Sequence, residues 1–317
     1  MTSPGVAKQD EIQTMEFKGP RGGLHIKALH IEGNILSNHL ELHGSVTTPA
    51  EVIDSTIGVT LYAQTIVCNL SRAEDRTVSI TGATLTGNSR VIYNSAAIEK
   101  DPKDKTNPKN GNRENGTLTS DQIQYDRKAD ESILTIPTPL DFTSESFGIE
   151  NKKVETPKTA EKTEVPKAEI TIPVPYHDIT HLTGSQGKIT VAQTTDPKNP
   201  ILPHIGDIEG PVVFDITRTE TPPTPSPSVA VPVPAPSVEV SHMHGVADHF
   251  HYDFVAPPDP TLTLTGHVNI DADAKAYISS ATGTEMIVNL DRATRKLKSY
   301  SFGKPGVTTV KPAGGGN

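Results

Sequence analysis

Histidine offers this 317-residue chain its densest chemistry. Of its 12 histidines, four fall in one short run, His242-Met243-His244-Gly245-Val246-Ala247-Asp248-His249-Phe250-His251. On a strand, a His-x-His pair sets both imidazoles on one face, a spacing that suits Zn²⁺ or Cu²⁺. Plain alternation in a half-exposed strand gives the same spacing, and a tetrahedral site would need the chain to fold back through Gly245. Solvated histidines are therefore the expectation, with no metal and no other cofactor. His242, His244, His249 and His251 stand as the metal candidates should that expectation fail. His25, His30, His39 and His43 are scattered and read as strand-surface residues.

Catalytic settings do not appear elsewhere. No Gly-x-Ser-x-Gly elbow presents a serine nucleophile, and Gly184-Ser185-Gln186-Gly187 reads as a turn between strands. Asp271 and Asp273 alternate with alanine in what should be a loop, where carboxylates are solvated or hold a cation weakly. Cys68 shares a strand face with Ile66 and Leu70 and is expected as a buried structural thiol. Being the only cysteine, it excludes an intramolecular disulfide and a cysteine-rich zinc site. Gly314 to Asn317 has no helix behind it to cradle phosphate. With 38 acidic against 29 basic side chains, the net charge of −9 has the wrong sign for nucleic acid. The expectation is a protein that is not an enzyme.

The elements that must position these residues read as strands. Val, Ile, Leu and Thr recur with period two, as in Thr261-Leu262-Thr263-Leu264-Thr265-Gly266, and turn residues cut the runs every several positions. In His249-Phe250-His251-Tyr252-Asp253-Phe254 the aromatics take one face and the histidines the other. No helical periodicity exceeds two turns, and 27 prolines with 24 glycines argue against a helical bundle. No apolar run approaches the roughly 18 residues of a membrane span. Residues 100–115, 150–167 and 221–237 are Lys/Asn-, Lys/Glu- and Pro-rich and read as linkers, the last an extended polyproline spacer. The layout expected is a disordered N-terminus (1–20), a β segment (21–147), a linker (148–168), a second β segment (169–312) interrupted by a Pro-rich spacer (219–240), and a tail (313–317).

An internal repeat organises the strands. Ala63 to Gly82, Ser120 to Ile136, Gly283 to Ser301 and, more loosely, Asp248 to Val268 each read as strand, polar turn, strand. Two copies end in Thr-Gly before a third strand, at Thr81-Gly82 and Thr265-Gly266, where a glycine fits a bulge that bends the sheet. One hairpin cannot bury its apolar face alone, whereas stacked copies close over a shared interior.

Gln124-Tyr125-Asp126-Arg127, Val288-Asn289-Leu290-Asp291 and Leu264-Thr265-Gly266-His267-Val268-Asn269-Ile270, followed by Gly303 to Pro312, resemble the OstA-like family of lipopolysaccharide-transport proteins, LptA and LptC among them. The resemblance covers 60–145 and 245–312 well, and 22–48 and 177–218 loosely. It implies a rolled antiparallel β-jellyroll, located in the periplasm, whose interior holds acyl chains. It also implies edge strands that join neighbouring Lpt-type transport components. The chain departs from the family in its length, its linkers and its start. Met1 to Gly19 is polar, without an apolar h-region or membrane anchor, so at face value the chain is unexported and a cytoplasmic location is the alternative.

The apolar face is then the functional candidate. Phe250, Tyr252, Phe254, Leu262, Leu264, Val268, Ile270, Met286, Val288 and Leu290 share it by alternation. If it opens as a groove, it binds lipopolysaccharide or a similar glycolipid for transport to the outer membrane. If it closes as a dry core, the chain is a structural or cell-surface β-repeat protein without a ligand. Both require the same alternation.

Overall fold

The computed structural model describes residues 11–19, 22–34, 38–74, 77–94, 113–128, 131–155, 169–193, 201–221, 239–274, 277–290, 297–303 and 306–312. Among the described residues every regular element is a strand and every pairing is antiparallel. In chain order these are β1 (Gln13–Gly19), β2 (Gly22–Ala28), β3 (His30–Asn34), β4 (His39–His43), β5 (Ala50–Asp54) and β6 (Val59–Ala63). Next come β7 (Thr65–Arg72), β8 (Val78–Asn94), β9 (Arg113–Arg127), β10 (Glu131–Ile136), β11 (Leu140–Glu155), β12 (Glu169–Gly184) and β13 (Gln186–Gln193). The last are β14 (Ile201–Glu220), β15 (Glu239–Asp253), β16 (Thr261–Ala274), β17 (Tyr277–Leu290), β18 (Leu297–Phe302) and β19 (Gly306–Pro312).

The pairings form two ladders that share their longest strands. One runs β1-β2-β5-β6-β8-β9-β11-β12-β14-β15-β16-β17-β19. The other runs β3-β4-β7-β8-β9-β10-β13-β14-β15-β16-β17-β18. β8, β9 and β14 to β17 cross from one ladder to the other, and β8, β14, β15 and β16 shift register as they do, at Thr86/Ser89, Glu209/Val212, Val246/His249 and Thr265/Val268. A bulge bends and twists its strand, and here the bulges align to fold the sheet over on itself. Gly87 (φ +78°), Asn88 (+48°) and Gly266 (+91°) supply the left-handed backbone this corner needs. Shorter strands turn the same corner by breaking. β6 gives way to β7 at Gln64, whose N–H donates to the Gly87 carbonyl at 2.9 Å. β12 gives way to β13 at Ser185, whose N–H donates to Glu209 at 2.8 Å. The all-β, rolled antiparallel architecture expected from the repeats is what forms, and its apolar residues make one continuous core.

Several expectations need correction. Residues 13–19, predicted to be a disordered start, form β1, because Met15 and Phe17 alternate inward and pack on the core against β2. Residues 148–155, predicted to be linker, are the end of β11, which runs in register with β12 to Glu155↔Glu169. Residues 219–220 and 239–240 likewise belong to β14 and β15, paired to Glu220↔Glu239, and residues 113–115 open β9. The two β segments join in one sheet, since β10 pairs with β13 and β11 with β12. Gly184 to Gly187 is a turn between strands as expected, a bend at Ser185 between β12 and β13. Asp271 and Asp273 lie in β16, not in a loop. The remainder of the three linker stretches, residues 1–10 and 313–317, and the turn at 291–296 lie outside the described residues.

Candidate functional site

Register converts the alternating pattern into continuous inward rows. Across the first ladder, cross-strand partners read Met15, Ile26, Val52, Leu61, Val91, Leu118, Phe142, Leu182, Phe214, Gly245, Ile270 and Ala281. Across the second they read Ile31, Leu42, Ile66, Leu85 and Ile123. The Gln124↔Thr135 pairing brings Ile136 beside Ile123, and the row continues through Gly187, Ile208, Phe250, Leu264, Met286 and Phe302. At roughly 4.8 Å per strand, each row is about 50 Å long. No charge interrupts either one.

A second row on the later ladder carries Leu40, Cys68, Ala83, Tyr125, Leu134, Ile189, Gly206, Tyr252, Leu262, Val288 and Tyr300. Cys68 is fully buried there, and burial pushes its thiol up to about 12, so it is the inert structural thiol expected. Two rings cover cross-strand glycines. A Cβ on Gly206 would meet the Tyr252 ring at 2.1 Å, and one on Gly245 would meet Phe214 at 2.0 Å. The aromatic side chains fill space that small partners leave open.

Closure is uneven along the roll. Leu24, Ile26, Leu40, Leu42, Ile66 and Leu85 of the N-terminal strands are at most 1% exposed. Toward β18 the same face loosens: Phe250, Val288 and Phe302 are only partly buried, and Tyr300 is 47% exposed. Of the face residues expected from sequence, Leu264, Val268, Ile270 and Met286 are buried, while Phe250, Tyr252, Leu262, Val288 and Leu290 are half-buried. Phe254 lies just past β15 in a bend, its ring 4.9 Å from that of Tyr252. All ten belong to one side of the C-terminal strands. The N-terminal members of the rows were not singled out by sequence, although Gly22 to Ala28 and His39 to His43 alternate just as regularly.

The interior becomes polar at its margins. Asp54, almost fully buried, accepts from the Thr56 N–H at 3.0 Å and from the Thr56 hydroxyl. Burial raises its carboxyl above the ordinary range, against the Thr56 bonds and the attraction of Arg127. On β12 and β14, Arg218 stacks on the Tyr176 ring at 4.5 Å and pairs with Glu220 at 3.1 Å and Asp178 at 3.7 Å. Asp178 is also raised by burial, and its Oδ1 has no hydrogen-bond partner among the described residues.

The histidine run lies on the outer surface, facing carboxylates that β14 supplies. His244 Nδ1 is 2.7 Å from Asp215, which His242 approaches at 3.7 Å. His251 Nδ1 is 2.6 Å from Asp207, and His249 lies 3.7 Å from the same carboxylate. The His-x-His pairs thus make parallel outward contacts to carboxylates, and their ligand atoms do not converge as three around one point.

Among the described residues no helix is long and apolar enough to cross a membrane. An open depression lies outside the roll along the corner, bordered by Tyr62, Gln64, Asn88, Arg90, Asp121 and Asp141. The apolar face remains the largest organised feature. No protein-family model, curated protein or solved structure matches the chain, so its reading rests on this geometry.

Proposed function

We propose that the protein is a non-catalytic carrier or bridge that holds the acyl chains of lipopolysaccharide, or a similar glycolipid, along its inward face. Its place is the periplasm, on the route to the outer membrane. One observation carries this reading: two uninterrupted apolar rows, about 50 Å long, loosen onto half-buried aromatics beside β18. Acyl chains need a continuous apolar path that they can enter from an edge, and they gain by removing that surface from water. The edges support the same reading. β1 and β3 at one end, and β18 and β19 at the other, each pair with a single neighbour among the described residues. Their outer edges suit strand addition by neighbouring transport components, although the Ile31 N–H of β3 already donates to Gln13 Oε1 at 2.8 Å.

A second reading is favoured by the closed N-terminal half. There the side chains are almost fully buried against one another, as in a structural β-repeat with a dry core. Native mass spectrometry of protein purified from its own envelope separates the two. The carrier co-purifies with lipid and is photo-crosslinked by a lipid A analogue at β15 to β18. Lipid-free protein that resists crosslinking there is the structural repeat.

A further inference from the structure

We infer that the outer face of the β3–β4 hairpin is a site for a divalent transition-metal ion, Zn²⁺ by its ligand set. The register sets His30 opposite His43 and Glu32 opposite Glu41. Ligand atoms of Glu32, Glu41 and His43 already lie within 4.8 Å of one another, the only such group among the described residues. His30 Nε2 lies 3.0 Å from Glu32 Oε1, and its ring stacks 6.1 Å from that of His43. His43 Nε2 lies 3.2 Å from Glu41 Oε1. Two imidazoles and two carboxylates thus make a square across one strand pair, and side-chain rotation brings His30 in as the fourth ligand.

Two features point to a cation and not to a solvated surface. Like charges placed directly opposite on neighbouring strands destabilise the pair, and Glu32 faces Glu41 in that way. Their described ion-pair partners are the two histidines, which carry charge only when protonated. A bound Zn²⁺ neutralises both carboxylates at once and takes imidazole nitrogen as readily as oxygen, in the tetrahedral four-ligand geometry of structural zinc. Ca²⁺ prefers an all-oxygen shell and does not fit. The ion would clamp β3, an edge strand, to β4. The inference is independent of the carrier reading, since it concerns the opposite face of the sheet.

The test is calorimetric titration of ZnSO₄ into the untagged full chain, alongside melting in chelator and in excess Zn²⁺. One tight equivalent is expected. His43→Asn and Glu41→Gln should each weaken it by about 10-fold or more, while the double change His249→Asn with His251→Asn leaves it intact. Zn²⁺ should raise the parent's melting temperature through its preference for the folded state. In chelator Glu41→Gln should melt no lower than the parent, because it removes the carboxylate repulsion, yet gain less from Zn²⁺ than the parent does. The site is overturned if no tight equivalent binds, if His43→Asn and Glu41→Gln leave it unchanged, or if only the β15 double change abolishes it.

Discussion

At Asp54 a single buried carboxyl ties local structure to pH. Its burial outweighs the Thr56 hydrogen bonds and the Arg127 attraction, so its folded pKa lies above the unfolded value. The sign follows directly: the folded state holds the proton more tightly, so stability is fullest below the unfolded carboxylate range. It is lost as pH rises through the folded pKa. Asp54→Asn keeps an oxygen that can accept from Thr56 and removes the charge. The variant should melt above the parent at neutral pH, and the gap should close as pH falls toward about 4. Thermal melts across that range check it. A parent that stays the more stable at pH 7 would mean that Arg127 dominates. Cys68 needs no such balance, because nothing nearby offsets its burial. Its role was legible from alternation with Ile66 and Leu70 alone, whereas the partner of Asp54 on the facing ladder was not.

Bulges decide the fate of whole elements. Along β15 the buried residues run Gly245 and Ala247, then the inward side changes phase at Asp248 and continues through Phe250 and Tyr252. β9 does the same between Ser120 and Ile123. A period-two reading sees each run correctly but not the slip between runs. Strand identity was therefore legible, while the passage of one strand through both ladders was not. The Thr-Gly signal was the exception, since Gly266 marks its bulge by residue type. Its φ of +91° is unfavourable for a side chain, and a Cβ would meet Asp248 Oδ2 at 2.2 Å. Gly266→Ala should cost about 1–2 kcal/mol from backbone conformation, with crowding in addition, read as a lower denaturant midpoint at unchanged slope. An unaffected midpoint would mean that this corner tolerates other geometry. The histidine run shows the complementary gap. Its outward face could be read from spacing, but Asp207 and Asp215 reach it only through the register of β15 against β14, the strand before it.

For the whole molecule, the question is whether the roll is uniformly closed. Overpacking at two depths answers it. Ile66 is fully buried among Leu42 and Leu85, so Ile66→Trp must displace neighbours at a cost of about 1–3 kcal/mol. Val288 stands in the loosened part, between Leu262 and the exposed Tyr300. In a carrier the added indole of Val288→Trp occupies space meant for an acyl chain. It should melt close to the parent and lose crosslinking to a lipid A analogue. In a dry structural repeat that space is already filled, and Val288→Trp should destabilise as Ile66→Trp does. Ile66→Trp serves as the internal scale, since it must destabilise under either reading. The two substitutions falling together, in a parent that never captures lipid, would sink the carrier. A clear separation between them, with lipid capture lost only where the roll is loose, would place the guest between β15 and β18.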